Sequence, residues 1–130
     1  MKSDFTIKTG DDYFSLKADV KFIGNDLLIA IYGGEKPHIG AVSCAHPRPS
    51  LKKSDIISST ASVICLSAHK EYDIAKAVSE ILASCLNTTT VVTAGMHWDK
   101  INDQEIKKVI KNSRILVDLI LDILVKKSKS

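Results

Sequence analysis

Aromatic side chains are scarce: Phe, Tyr and Trp make up 5% of 130 residues, with a single tryptophan. A core built on stacked rings is therefore excluded, and burial has to come from aliphatic residues. No apolar run approaches the roughly 18 residues of a membrane-spanning helix. Met1-Lys2-Ser3-Asp4 opens no apolar leader, so neither secretion nor membrane insertion is expected and the default compartment is the cytoplasm. Cys44, Cys65 and Cys85 are odd in number and lack C-x-x-C spacing. They read as buried thiols of a reducing compartment, two in strand-like runs and one on a helix face, rather than as disulfides. Charge of one sign is not in large excess: the net value is +3. Much of that surplus lies in the tail Lys126-Lys127-Ser128-Lys129, so no nucleic-acid-binding stripe is expected. G-x-G-x-x-G, P-loop and nucleophile-elbow patterns are absent, as are internal repeats.

What is present is an ordinary soluble composition, 45% hydrophobic and 25% charged with a mean hydropathy of +0.05. A chain of this length buries roughly two-thirds of its unfolded surface, enough for one core. One domain over residues 1–130 is expected, with its core over 4–125 and a basic tail over 126–130. Phe5 and Ile7, then Phe14 to Phe22, alternate with polar residues around Gly10-Asp11-Asp12, which predicts a hairpin with one wet face. Leu27 to Tyr32 is continuously apolar and predicts a central strand covered on both faces. Ala41 to Ala45 predicts the next strand, and the two prolines of His46-Pro47-Arg48-Pro49-Ser50 predict a loop after it. Another strand is expected within Ser54–Ser67. Ile74, Ala77, Val78, Ile81, Leu82, Cys85 and Leu86 then keep helical spacing, with a start at 67–69 and an end near Asn87. A β-branched strand from Thr88 to Ala94 follows. Asn102-Asp103-Gln104-Glu105 is a capping box opening a long amphipathic helix, apolar on more than one face over Ile115–Val125. The order β-β-β-β-β-α-β-α implies an α+β domain: a mainly antiparallel sheet of about five or six strands with two helices packed on one face.

Three polar junctions stand out in this order. Gly33-Gly34 leads to His38-Ile39-Gly40, His69-Lys70-Glu71 opens the first helix, and Gly95-Met96-His97-Trp98-Asp99 ends the last strand. If the strands ending at Tyr32, Ala45 and Ser67 form an antiparallel meander, and a right-handed crossover returns the chain, all three junctions share one edge and His46 lies at the other. Both helix N-termini fall at that edge, which suits an anion. The glycines let backbone approach a ligand closely, and Trp98 offers a flat face for a ring. Each feature also has a plainer reading. A histidine in such a loop caps backbone groups, Glu71 in a first turn answers the helix dipole, Asp99 orients His97 or makes an Asx-turn, and Trp98 serves a subunit contact. His38, His69 and His97 are also a candidate metal set, for which the spacing matches no compact motif.

Read together, these junctions resemble the prenylated flavin chaperone LpdD-like domain family, the small D subunits associated with UbiD-type decarboxylases, over about residues 14–112. Met96 and Trp98 stand where smaller aliphatic residues are expected. The resemblance implies a fold similar to the fourth proteasome assembly chaperone, a homodimer, and a non-catalytic accessory role around prenylated FMN or FMN and its decarboxylase. It implies cofactor-binding roles for Gly34, His38, Gly40, His69, Lys70, Gly95, His97 and Asp99. Two other readings stay open: a metal- or His-dependent small lyase using the His38, His69 and His97 edge, and a pure protein-assembly factor acting through the 115–125 face.

Overall fold

A computed structural model describes the backbone of residues 3–10, 12–66 and 69–129, and their side chains except at 69 and 126–129. Eight elements follow in the expected order: β1 (Phe5–Lys8), β2 (Leu16–Ile23), β3 (Asp26–Gly34), β4 (Ala41–Pro49), β5 (Ile57–Cys65), α1 (His69–Leu86), β6 (Thr90–His97) and α2 (Asp103–Lys129). They build one α+β domain around a six-stranded sheet of order β1-β2-β3-β6-β4-β5, antiparallel throughout except for the β3–β6 pair.

Strand alternation decides where the core sits. Ala18, Ile31, Ala94 and Ala41 lie side by side across four strands, as do Val20, Ile29, Val92 and Ser43, and all are buried. Against this face pack Ile74, Val78 and Leu82 of α1 and Val109, Leu116, Val117, Ile120 and Leu124 of α2. Each fully buried Leu, Ile or Val contributes about 1.5–3 kcal/mol. A polar pair inside this packing, Ser43 Oγ and Ser79 Oγ at 2.7 Å, joins α1 to β4. At the start of α2, Glu105 N–H donates to Asn102 Oδ1 (2.8 Å) and Asn102 N–H to Glu105 Oε1 (3.1 Å), the reciprocal cap expected of this tetrapeptide.

Several expectations are corrected. The strands ending at Gly34 and starting at Ala41 are not neighbours, because β6 inserts between them. The β3 run is not covered on both faces: Leu28 is 40% exposed while Leu27 and Ile29 are buried. Its apolar outward residues belong to a face that no helix covers. Pro47 and Pro49 do not form a loop but continue β4 opposite Ser59 and Ile57. They are tolerated because β6 pairs with β4 only from Ala41 to Ala45, so beyond that point one side of β4 is an open edge. The last strand does not stop near Ala94 but runs to His97, held by β3 on one side. The three thiols are exposed rather than buried. Cys44 alternates with buried Ser43 and Ala45 onto the open face, Cys65 ends the edge strand β5, and Cys85 sits on the wet side of the last turn of α1. The α2 backbone continues to Lys129 through the stretch read as a tail. Residues 67–68, in the expected start of α1, lie outside the described residues, and no helix among the described residues is long and apolar enough to cross a membrane.

Candidate functional site

Inserting β6 between β3 and β4 preserves the shared edge. The C-terminal ends of β3, β5 and β6, the start of β4 and the N-termini of α1 and α2 all lie there, while His46 on β4 lies towards the other end. The glycines of this edge are packed against the chain's own backbone. A Cβ on Gly95 would fall inside the shell of the His38 carbonyl, and one on Gly34, whose φ is +83°, would strike the His97 carbonyl. Gly40 N–H donates to Ala94 O at 2.9 Å and Gly40 O accepts from Leu66 N–H at 2.7 Å. Gly34, Gly40 and Gly95 thus let the 35–40 loop lie flat on the ends of β6 and β5. Glu35 and Lys36 N–H close the loop onto His97 O at 2.7 and 3.3 Å.

Two imidazoles at this edge, one from the end of β6 and one from the loop, face two different carboxylates. His97 Nε2 lies 2.9 Å from Asp99 Oδ1, with Lys36 Nζ at 3.8 Å. The His97 hydrogen bond, followed by the charge of Lys36, holds the Asp99 carboxyl below its ordinary value. Asp99 N–H donates to Glu35 Oε2 at 2.7 Å, and Glu35 also bonds the Tyr13 hydroxyl, which raises the Tyr13 pKa. Asp99 therefore orients an imidazole and is itself held by the loop.

His38 belongs to the second cluster. Its Nδ1–H donates to Lys36 O at 3.0 Å, the carbonyl being an acceptor only, and its Nε2 faces Glu71 Oε1 at 3.7 Å. Lys70 Nζ donates to the same oxygen at 3.0 Å. Glu71 is 1% exposed, and among the described residues its other oxygen, Oε2, has no hydrogen-bond partner. His69 is the first residue of α1, and its side chain lies outside the described residues. Among the described residues no group of three or more His, Cys, Asp or Glu side chains is placed to hold a metal.

Trp98 is not the open face expected of it. It is 2% exposed, donates its indole N–H to Tyr13 O (3.0 Å) and packs on Phe14 at 5.5 Å between centroids. The ring that reaches solvent is Tyr13, 63% exposed. It lines a hollow of about 380 Å³ with Lys17, Tyr32, Gly33, Gly34 and Glu35. A space of that size falls within the range of small-molecule sites, roughly 300–1,000 Å³.

Tyr13 and Glu35 are what sequence reasoning missed, and neither carries a spacing signal. Glu71, read in the sequence as a first-turn residue answering the helix dipole, is instead buried; the signal for that is its place three and seven residues before Ile74 and Val78, in line with the buried stripe of α1.

A family model described as the prenylated flavin chaperone LpdD-like domain matches residues 10–125. Among solved structures, a chain of a chaperone complex for yeast 20S proteasome assembly superposes with a TM-score of 0.62 at 10% identity, covering 95% of each chain. That likeness is one of fold. No curated protein matches the chain in sequence.

Proposed function

The chain belongs to the prenylated flavin chaperone LpdD-like domain family, and from that premise we propose that it is a non-catalytic accessory chaperone of the cytoplasm that holds prenylated FMN, or FMN, for a UbiD-type decarboxylase. The observation that carries this reading is the hollow beside Tyr13, Gly33 and Gly34, which lies at the same edge as the two helix N-termini. Within the hollow Tyr13 and Tyr32 supply ring surface and Lys17 a cation for a phosphate. His38, Lys70, His97 and Asp99, which stand at the same edge but outside the hollow's lining, and His69 at the start of α1 are the polar groups assigned to the rest of the cofactor. Gly34, Gly40 and Gly95 act one step back, by setting the loop that carries His38. Freshly purified protein is expected to carry a flavin absorbance or to gain thermal stability with FMN or its prenylated form. Absence of both refutes the cofactor reading.

The same proposal includes a homodimer. Leu28, Val91 and Cys44 line up across β3, β6 and β4, and Ala30, Thr93, Val42 and Ile64 across β3, β6, β4 and β5, on the face that no helix covers. Leu28 is 40% and Ile64 65% exposed. A row of aliphatic side chains on the central strands of a sheet is the kind of surface two sheets bury face to face, and one patch meeting its own copy closes a twofold pair.

A pure assembly factor is the second reading, favoured by exposed Ile115 and Leu119 on α2. It predicts that His38→Ala and His97→Ala leave partner binding unchanged.

A further inference from the structure

A carboxylate that is 1% exposed with one oxygen unpartnered is uncommon, because a buried acceptor without a donor costs free energy. Among the described residues the bond found for Glu71 is from Lys70 Nζ to Oε1, which leaves Oε2 bare. Lys70 is itself only 13% exposed, so the pair is largely withdrawn from water and carries no net charge. A phosphate brought to it would meet the carboxylate as well as the ammonium. What the pair does offer is a bare acceptor beside an ammonium that has donors left after bonding Oε1. On the solvent side stands His38, 38% exposed, in a loop whose residues 35–39 are all exposed. Among the described residues its ring is held there by one hydrogen bond, to Lys36 O.

Resting on the flavin reading above, we propose that the Lys70–Glu71 pair, uncovered when the His38 ring swings aside, binds the cis N–H/C=O edge of a cyclic imide, such as the pyrimidine end of a flavin ring. The imide N–H donates to Glu71 Oε2 and an adjacent carbonyl accepts from Lys70 Nζ. No bond is made or broken in the ligand. The pair thereby selects the ring of the cofactor and leaves the phosphate to other groups of the edge.

The test compares FMN, FMN methylated at the imide nitrogen, and UMP, which carries the same imide on a single ring, by titration against the intact protein. FMN is expected to bind at least about tenfold more tightly than its N-methyl derivative, since a hydrogen bond to a buried charge is lost. Glu71→Gln, with its amide oxygen turned to Lys70 and its NH2 to the ligand, is expected to abolish that preference while keeping the wild-type circular dichroism. Equal affinity of the wild-type protein for FMN and N-methyl FMN overturns the imide contact and leaves the flavin reading standing. Binding of UMP without FMN supports the imide site and overturns the flavin reading. If none of the three binds, both fall.

Discussion

Replacing Gly95 by alanine tests how the edge is built. The new methyl group would be placed against backbone, the carbonyl carbon and oxygen of His38 and the amide nitrogen of Ile39, rather than against a side chain that can rotate away. The 35–40 loop therefore has to lift. Its attachments at risk are the Gly40 N–H bond to Ala94 O at 2.9 Å and the two N–H bonds onto His97 O. Overpacking of a tight site costs about 1–3 kcal/mol, and each hydrogen bond weakened adds about 0.5–1.5 kcal/mol. A loss of about 2–4 kcal/mol is expected, a large part of the stability of an ordinary domain. Urea unfolding followed by circular dichroism measures it: with a slope of about 2 kcal/mol per molar, the midpoint falls by about 1–2 M. Gly10→Ala is the control, since its added methyl meets nothing within 4 Å, and a change below about 0.5 kcal/mol is expected. If Gly95→Ala unfolds at the same urea concentration as Gly10→Ala, the account of the edge as backbone packed on backbone is wrong.

Three further outcomes are expected. Lys70→Ala removes the partner of a carboxylate that is 1% exposed and should cost about 3–5 kcal/mol, whereas Lys76→Ala, which breaks a half-exposed helical pair with Glu80, should cost at most about 1 kcal/mol. Urea midpoints compare the two, and equal effects would contradict the burial of the Glu71 cluster. Because His97 is the first cause of the low Asp99 pKa, His97→Ala should move the Asp99 titration, followed by carboxyl NMR, back towards the ordinary value. In the wild-type protein this depressed value contributes stability above the unfolded-state pKa, lost as acid brings the pH down through the folded-state one; an unmoved titration in the variant would reject His97 as the cause. Val91→Lys puts a charge in the middle of the uncovered sheet face and should turn a dimer into a monomer in analytical ultracentrifugation while leaving the circular dichroism unchanged.

The element order was legible because each run carries its own period: alternation in Leu16 to Phe22, helical steps from Ile74 to Leu86, a reciprocal cap at Asn102 and Glu105. Strand order was not, since no local pattern tells that β6 enters between β3 and β4. The shared edge survived that error because inserting a strand parallel to β3 leaves the strand directions unchanged. Pro47 and Pro49 misled for a related reason: whether a proline breaks a strand depends on whether a neighbour needs its N–H, and that is a property of the sheet. The polar residues of the proposed site are legible in the sequence as types but not as partners. His38, Lys70, His97 and Asp99 announce themselves at junctions, while the pairing of His38 with Glu71 and the burial of Trp98 behind Tyr13 are set by how the 35–40 loop and the turn before β2 fold over.

Native mass spectrometry of freshly purified protein tests the central claim most directly, because it reports subunit count and bound mass together. The account predicts two chains carrying prenylated FMN or FMN. Bare chains that take up neither flavin when it is added would contradict it.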